Sequence, residues 1–393
     1  MENVTFFEID DNYIAILNGF ISDNKHVAIL YKNLVKFDIN DVLSLNKDVI
    51  VNTIKQLIAD ASSKVKNINL SNIYLMMPPK NCTSYQSKVE TLITSPDFVV
   101  RDGDIKNLFN MASKKLNDNN QDIIENVPDY FETSDGNKSI NPPLNKVSRE
   151  IRMAFKFHCI DKKTNLLYDE IFSKAKLNIA HKIISTIDLP SLIKNDYSKL
   201  ENYFLFFIKE NVTTITLVGG NKSIKTDEVN FGIANLVLMI MEKYNITYVD
   251  AKSILANFGF DKSEYKFKFN LYKDDSVKIL QKDLNLLILK FLENLKSEIT
   301  KQINIISSCT NLSFEQAMKF NFIFMGSLNN VFNISPLIGQ IIKTDSIFFS
   351  IKNANVLEYQ LYDCYSGLYS LIYKKNYLEL SNIRNITNLK RGD

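Results

Sequence analysis

Between Asn202 and Gly259 the chain places, in close succession, an apolar strand (Tyr203 to Ile208), a turn, a second strand (Thr213 to Val218), a Gly-Gly hairpin turn, a further short strand and a helix. In several nucleotide-binding folds a phosphate-cradling turn sits between two such strands, and it is built on glycine because backbone N–H groups must approach the phosphate. Here the turn is Lys209-Glu210-Asn211-Val212, with no glycine. The whole chain is poor in that residue, with 11 glycines in 393 positions against an ordinary usage of roughly 7%. Any fold assigned to this chain has to do without close backbone approach at most of its turns.

At 393 residues, 45% hydrophobic and 23% charged, the chain is long enough for two or more packed units with substantial cores. Its 47 basic and 44 acidic residues leave a net charge of +3, with no block of like charge, so nucleic-acid binding is not expected. Cys82, Cys159, Cys309 and Cys364 form no CxxC pair, and His26, His158 and His181 have no ligand spacing. His158-Cys159, among Phe155, Phe157 and Ile160, reads as a strand position rather than a metal site, and the compartment as reducing. The N-terminus has an acidic flank and too short an apolar run for a signal peptide. The apolar run from Gly232 to Met241 is interrupted by Asn235 and is too short to span a bilayer. The expected location is the cytosol.

In chain order, Val4 to Ile9 and Tyr13 to Leu17 read as a hairpin with Asp10, Asp11 and Asn12 at its turn, followed by a strand from His26 to Lys36. Helical spacing predicts a helix over Asp48 to Val65, then a buried strand to Met77. From Ser84 to Ile187 the pattern predicts an α+β insert: helices at Asp104 to Leu116 and Tyr168 to Ser185, and strands at Ile123 to Phe131, Lys138 to Asn141 and Ile151 to Asp161. Tyr265-Lys266-Phe267-Lys268-Phe269 reads as a half-exposed strand at a solvated sheet edge. Leu284, Leu287, Ile288, Phe291, Leu292, Leu295 and Ile299 mark one long helix, strands follow at Phe322 to Phe324 and Ser346 to Ile351, and Tyr359 to Tyr373 is a closing helix. No internal repeat is visible.

Val127-Pro128-Asp129-Tyr130, then Asp135-Gly136, then Ile140-Asn141-Pro142, then a strand ending near His158, resemble the insert of the bacterial cell-division actin homologue FtsA. Tyr365-Ser366-Gly367-Leu368-Tyr369 looks like that family's closing helix, and Ala251, Ile254, Phe258 and Gly259 fit its nucleotide-side helix. The resemblance covers roughly residues 3 to 373. It implies an α/β, two-lobed actin-like (ribonuclease-H-like) fold in which the insert replaces the usual subdomain. The implied domains are a first-lobe core at 1–83, completed by 188–200 and 360–393, an insert at 84–187, a second-lobe core at 200–259 and 304–359, and a small subdomain at 260–303. It also implies ATP and magnesium held between the lobes, self-association into filaments or dimers, and a scaffold role linking FtsZ to the cytoplasmic membrane. Other adaptors of this superfold, such as the pilus-assembly kind, and active actin-fold ATPases remain the alternatives.

Against that pattern the nucleotide residues depart. Ile208 to Ile215 fall on the family's second phosphate loop, where only Thr213 and Thr214 survive. The first loop is Glu8-Ile9-Asp10-Asp11, which keeps an acid for a magnesium-bound water. A family Glu and Lys fall on Lys252 and Leu255, Gly232 is retained, and a Gly-Gly turn keeps only Gly326, with Ser327 second. The expectation is a nucleotide cleft of Glu8, Asp10, Thr213, Thr214, Gly232 and Gly326 with weak or lost ATP binding and no hydrolysis. FtsZ is expected on the 260–303 segment through Lys278, Lys282 and Lys290. Leu380, Ile383, Ile386 and Leu389 drift around a helix rather than forming a stripe, so Arg384, Lys390 and Arg391 are expected to supply any membrane contact by charge.

Overall fold

The computed structural model describes residues 2–381 except 23–25, 38–40, 72, 80–81, 115–119, 140, 221, 264, 271–275, 311, 344 and 351–357. The chain forms two compact units, Met1–Ser185 with Asp363–Asp393, and Thr186–Tyr362.

In the first unit β1 (Glu2–Ile9), β2 (Tyr13–Ile21) and β3 (Val27–Lys36) form an antiparallel meander. Helix α1 (Lys47–Lys64) and strand β4 (Ile73–Met77) follow. Strand β5 (Cys82–Leu92) and helix α2 (Asp102–Lys114) then leave the sheet, and β6 (Gln121–Thr133), β7 (Lys138–Ser139) and β8 (Glu150–Asp161) complete a second sheet. Helix α3 (Lys162–Lys174) and β9 (Ile179–Ile184) return the chain to the first. The core sheet runs β3-β2-β1-β4-β9, with β4 parallel to both β1 and β9; the insert sheet runs β5-β8-β6-β7. Side-chain alternation across each strand separates the faces: in β8, Ile151, Met153, Phe155, Phe157 and Cys159 bury against Ile105, Leu108, Phe109 and Ala112 of α2.

The second unit begins with α4 (Leu189–Asp196), β10 (Asn202–Ile208), β11 (Thr213–Gly219) and β12 (Lys222–Val229). Helices α5 (Ile233–Tyr244) and α6 (Tyr248–Asn257), the ribbon β13 (Lys266–Asn270) and β14 (Ser276–Leu280), and the long α7 (Gln281–Cys309) follow. Next come α8 (Phe314–Met318), β15 (Asn321–Gly326), α9 (Ser335–Ile341) and β16 (Ile347–Phe348); α10 (Tyr362–Ser381) carries the chain back into the first unit. The sheet order is β12-β11-β10-β15-β16, with two antiparallel neighbours on one side of β10 and two parallel ones on the other. This is the strand order of the first core sheet, so the two units repeat one topology although no repeat shows in the sequence.

β10 is buried on both faces, which is why it reads as a near-continuous apolar run. Phe206 stacks on Phe324 of the parallel neighbour, and Phe204 meets Phe322 edge-on. Leu284, Ile288, Phe291, Leu295 and Ile299 of α7 join the same core cluster.

Two sequence expectations are corrected. Strand β9 belongs to the core sheet, not the insert: the expected helix from Tyr168 to Ser185 ends at Lys174, then Lys176 turns left-handed (φ 61) and the chain re-enters as β9 beside β4. Residues 188–200 belong to the second unit rather than the first, because Ser223 of β12 donates to the Ile187 carbonyl (2.9 Å) and α4 packs on β12. In the 260–303 segment the α7 stripe joins the same core cluster as β10, α5 and α6. The insert also gains β5, missed because it is an edge strand with polar residues on both faces.

Candidate functional site

The turn between β10 and β11 is closed by one backbone hydrogen bond, Lys209 N–H to Val212 O (2.9 Å). Two of its other carbonyls are taken by the start of α5. Ile233 N–H donates to Lys209 O (3.2 Å) and Ala234 N–H to Glu210 O (2.9 Å). Those are the N–H groups that a helix start otherwise offers to an anion. Gly232 makes the approach feasible, since a Cβ there would lie 2.4 Å from Glu210 O. Gly326, at the end of β15, sits at φ +102 with its would-be Cβ 2.2 Å from Ile208 O. The next hydroxyl, Ser327 Oγ, donates to Ile208 O (2.9 Å) and Lys209 O (3.0 Å). Thr213 donates to Phe231 O (2.6 Å) and Thr214 to Glu228 (3.1 Å). Thr213, Thr214, Gly232 and Gly326 thus lie around one turn: the glycines allow close backbone approach to it, and the threonine hydroxyls are taken by Phe231 O and Glu228.

Glu210 itself is buried and caged. Lys252 Nζ of α6 lies 2.7 Å from one carboxylate oxygen and 2.9 Å from the other. Tyr248 OH of α6 donates to the first oxygen and Tyr359 OH to the second (3.1 Å). Beside the cage is a cavity of about 430 Å³, with Ile233, Val237, Leu255, Ala256 and Val331 as its apolar wall and Ser253, Ser327 and Asn330 as polar groups. Lys252 and Leu255, on which the resemblance places a Glu and a Lys, both line this cavity. Tyr248 and Tyr359 were not anticipated. The exchange of acid and base was legible, since an acid enters the turn as a lysine replaces the family's helix glutamate.

These residues do not fit a nucleotide's phosphates. The Ile233 and Ala234 N–H groups are spent on the turn, no glycine opens it, and the Lys252 ammonium that could face a phosphate is already paired with Glu210. Among the described residues no group of three His, Cys, Asp or Glu side chains could hold a metal ion.

In the first unit the β1–β2 turn holds Glu8 and Asp10, both buried. Tyr13 OH donates to Glu8 (2.9 Å), and Cys364 Sγ of α10 lies 3.7 Å from its other oxygen. Asp10 accepts from Asp11 N–H (2.8 Å). Burial first, then the charges of Asp10, Glu8 and Asp363, push the Tyr13 hydroxyl well above its usual range. A tyrosine whose folded pKa is raised stabilises fully below its unfolded value near 10 and loses that contribution as pH climbs towards the folded value. Urea unfolding should therefore show wild type weakening above about pH 10, and Tyr13→Phe weakening less over the same interval; parallel pH profiles would contradict the assignment.

His158 lies in β8 as expected, buried, with Ser84 Oγ 2.8 Å from its Nδ1. Lys278 is exposed on β14, and Lys282 and Lys290 are exposed on α7. Arg384, Lys390 and Arg391 lie outside the described residues. No helix among the described residues is long and apolar enough to cross a membrane.

The repeated five-stranded sheet, the insert leaving the first unit between β4 and α3, and the turn site of the second define the class: an actin-like, two-lobed α/β fold. Among solved structures the chain is similar to the PilM-PilN type IV pilus biogenesis complex, at 9% identity over 94% of this chain and 98% of that one, with TM-score 0.58. It is also similar to the ethanolamine utilization protein EutJ from Carboxydothermus hydrogenoformans, at 9% identity over 94% and 90%, with TM-score 0.52. The diol dehydratase-reactivating factor in nucleotide-free form matches at 8% identity over 95% and 100%, with TM-score 0.50. No protein-family model matches the chain.

Proposed function

We propose that this chain is an actin-like scaffold that works without ATP, and that it serves cell division by associating with itself and linking FtsZ to the cytoplasmic membrane. The observation that carries the nucleotide-independent part is the Glu210 cage, in which Lys252, Tyr248 and Tyr359 converge on a carboxylate set in the turn. The division role is supported by the insert, whose Val127-Pro128, Asp135-Gly136 and Asn141-Pro142 motifs fall on β6 and around β7, with Gly136 at φ +79 in the β6–β7 turn. Lys278, Lys282 and Lys290 are the proposed FtsZ contacts, and Arg384, Lys390 and Arg391 the membrane contacts.

Vesicle recruitment tests both. The chain should carry FtsZ onto anionic vesicles, Lys282→Glu with Lys290→Glu should leave the chain on the vesicles without FtsZ, and truncation after Asn376 should remove both. Recruitment unchanged by either alteration rejects the reading. A pilus-assembly adaptor is the second reading, favoured by the similarity to the PilM-PilN complex over nearly the whole chain.

A further inference from the structure

The two faces of the β13–β14 ribbon meet different surroundings. Phe267, Phe269, Val277 and Ile279 turn inward onto the unit's core, and the Phe267 ring stacks on Phe258 with centroids 3.9 Å apart. The other face carries Lys266, Lys268 and Asn270 from β13 and Ser276, Lys278 and Leu280 from β14, and the register sets Lys268 directly opposite Lys278. Like charges opposed across a ribbon repel. All three lysines are exposed, and none has an ion pair among the described residues. β13 and β14 form a two-stranded sheet, so each has an outer edge with no strand partner among the described strands.

We propose that this lysine face docks an acidic peptide segment in extended conformation, lying along the ribbon. The inference rests on the scaffold reading and names the kind of partner segment that the second unit takes. Acidic residues at every second position of an extended chain repeat at about 7 Å, which is the spacing of Lys266 and Lys268 along β13. Nucleic acid fits poorly, because the ribbon's phenylalanines are turned into the core and leave no stacking platform on the lysine face. A bilayer fits poorly too, because beyond the half-buried Leu280 this face has no apolar side chain to insert.

The test uses the full chain and a fluorescein-labelled peptide of alternating Glu and Ser, with a Gln-Ser peptide as control, read by fluorescence anisotropy at low and high salt. Wild type should bind the acidic peptide with affinity that falls as salt rises. Lys268→Glu and Lys278→Glu should each weaken it about tenfold, while Lys106→Glu on the insert helix leaves it unchanged. Lys278→Glu replaces a repulsive cross-strand pair with an attractive one, so its thermal midpoint should hold or rise, and lost binding is then not unfolding. Equal binding by wild type and Lys278→Glu, or equal binding of the Gln-Ser peptide, overturns the proposal. So does Lys268-dependent binding of phosphatidylglycerol vesicles without peptide binding. Peptide binding that survives where FtsZ recruitment fails supports the surface and rejects only the division role.

Discussion

Glu210→Ala should lower the stability of the second unit by about 2–4 kcal/mol, the scale of a buried carboxylate losing several charge-assisted hydrogen bonds. The figure stays below that for a fully buried ion pair because the Lys252 side chain is 43% exposed and re-solvates once its partner is gone. Two tyrosine hydroxyls and an ammonium group would then face a hole the size of a carboxylate. Small anions should fill it. Acetate at high concentration is expected to raise the thermal midpoint of Glu210→Ala and leave wild type unmoved, whereas Glu210→Gln, which keeps the shape and an acceptor, should lose only about 1 kcal/mol. A fully stable Glu210→Ala variant would show that the carboxylate does not brace α6 against the turn.

Gly326→Ala should cost more, about 4 kcal/mol. Two effects coincide there: φ +102 lies in a region that side chains rarely enter, and the new Cβ would stand 2.2 Å from the Ile208 carbonyl oxygen. The first costs about 1–3 kcal/mol. The second cannot be relieved by moving a flexible side chain, because Ile208 is held in the sheet by its pairing with Thr213 and Gly326 and accepts from Ser327. Gly220→Ala is the control. It also has positive φ, at +58, but nothing lies within 4 Å of its Cβ, so it should show only the dihedral cost of about 1–2 kcal/mol. Urea denaturation of the two variants separates crowding from backbone strain; similar losses would mean that the close approach at Gly326 is relieved elsewhere.

Much of the fold was legible because the informative segments are buried. β10 reads as a strand because both faces are covered, α7 as a helix because its stripe has one period, and the Gly-Gly turn after β11 because Gly220 takes positive φ. The misses have the opposite cause. β5 is polar because it lies at the edge of its sheet, and the start of β9 was absorbed into α3 because the two are separated by a short left-handed turn at Lys176 that carries no glycine. The repeated sheet topology left no repeat in the sequence, since a strand order is set by which faces are apolar and not by particular residues.

At the site, the glycine-free turn and the acid within it were plain from the chain alone, as was the lysine on α6. What could not be read is that they meet. Glu210 and Lys252 are 42 residues apart and Tyr359 is 149 from Glu210, so no local spacing links them. Only the packing of α6 and of the segment before α10 onto the turn brings the three donors together. Ser327 is similar: as a replacement for a second glycine it reads as a loss, yet its hydroxyl bonds the carbonyls of Ile208, at the end of β10, and Lys209, in the turn.

The measurement that bears most directly on the account is isothermal titration of the full chain with ATP and magnesium. A turn whose carbonyls already take the α5 N–H groups, and whose own carboxylate occupies Lys252, should give no saturable heat at physiological nucleotide concentration and no shift in thermal midpoint. A stoichiometric, magnesium-dependent binding isotherm would contradict it.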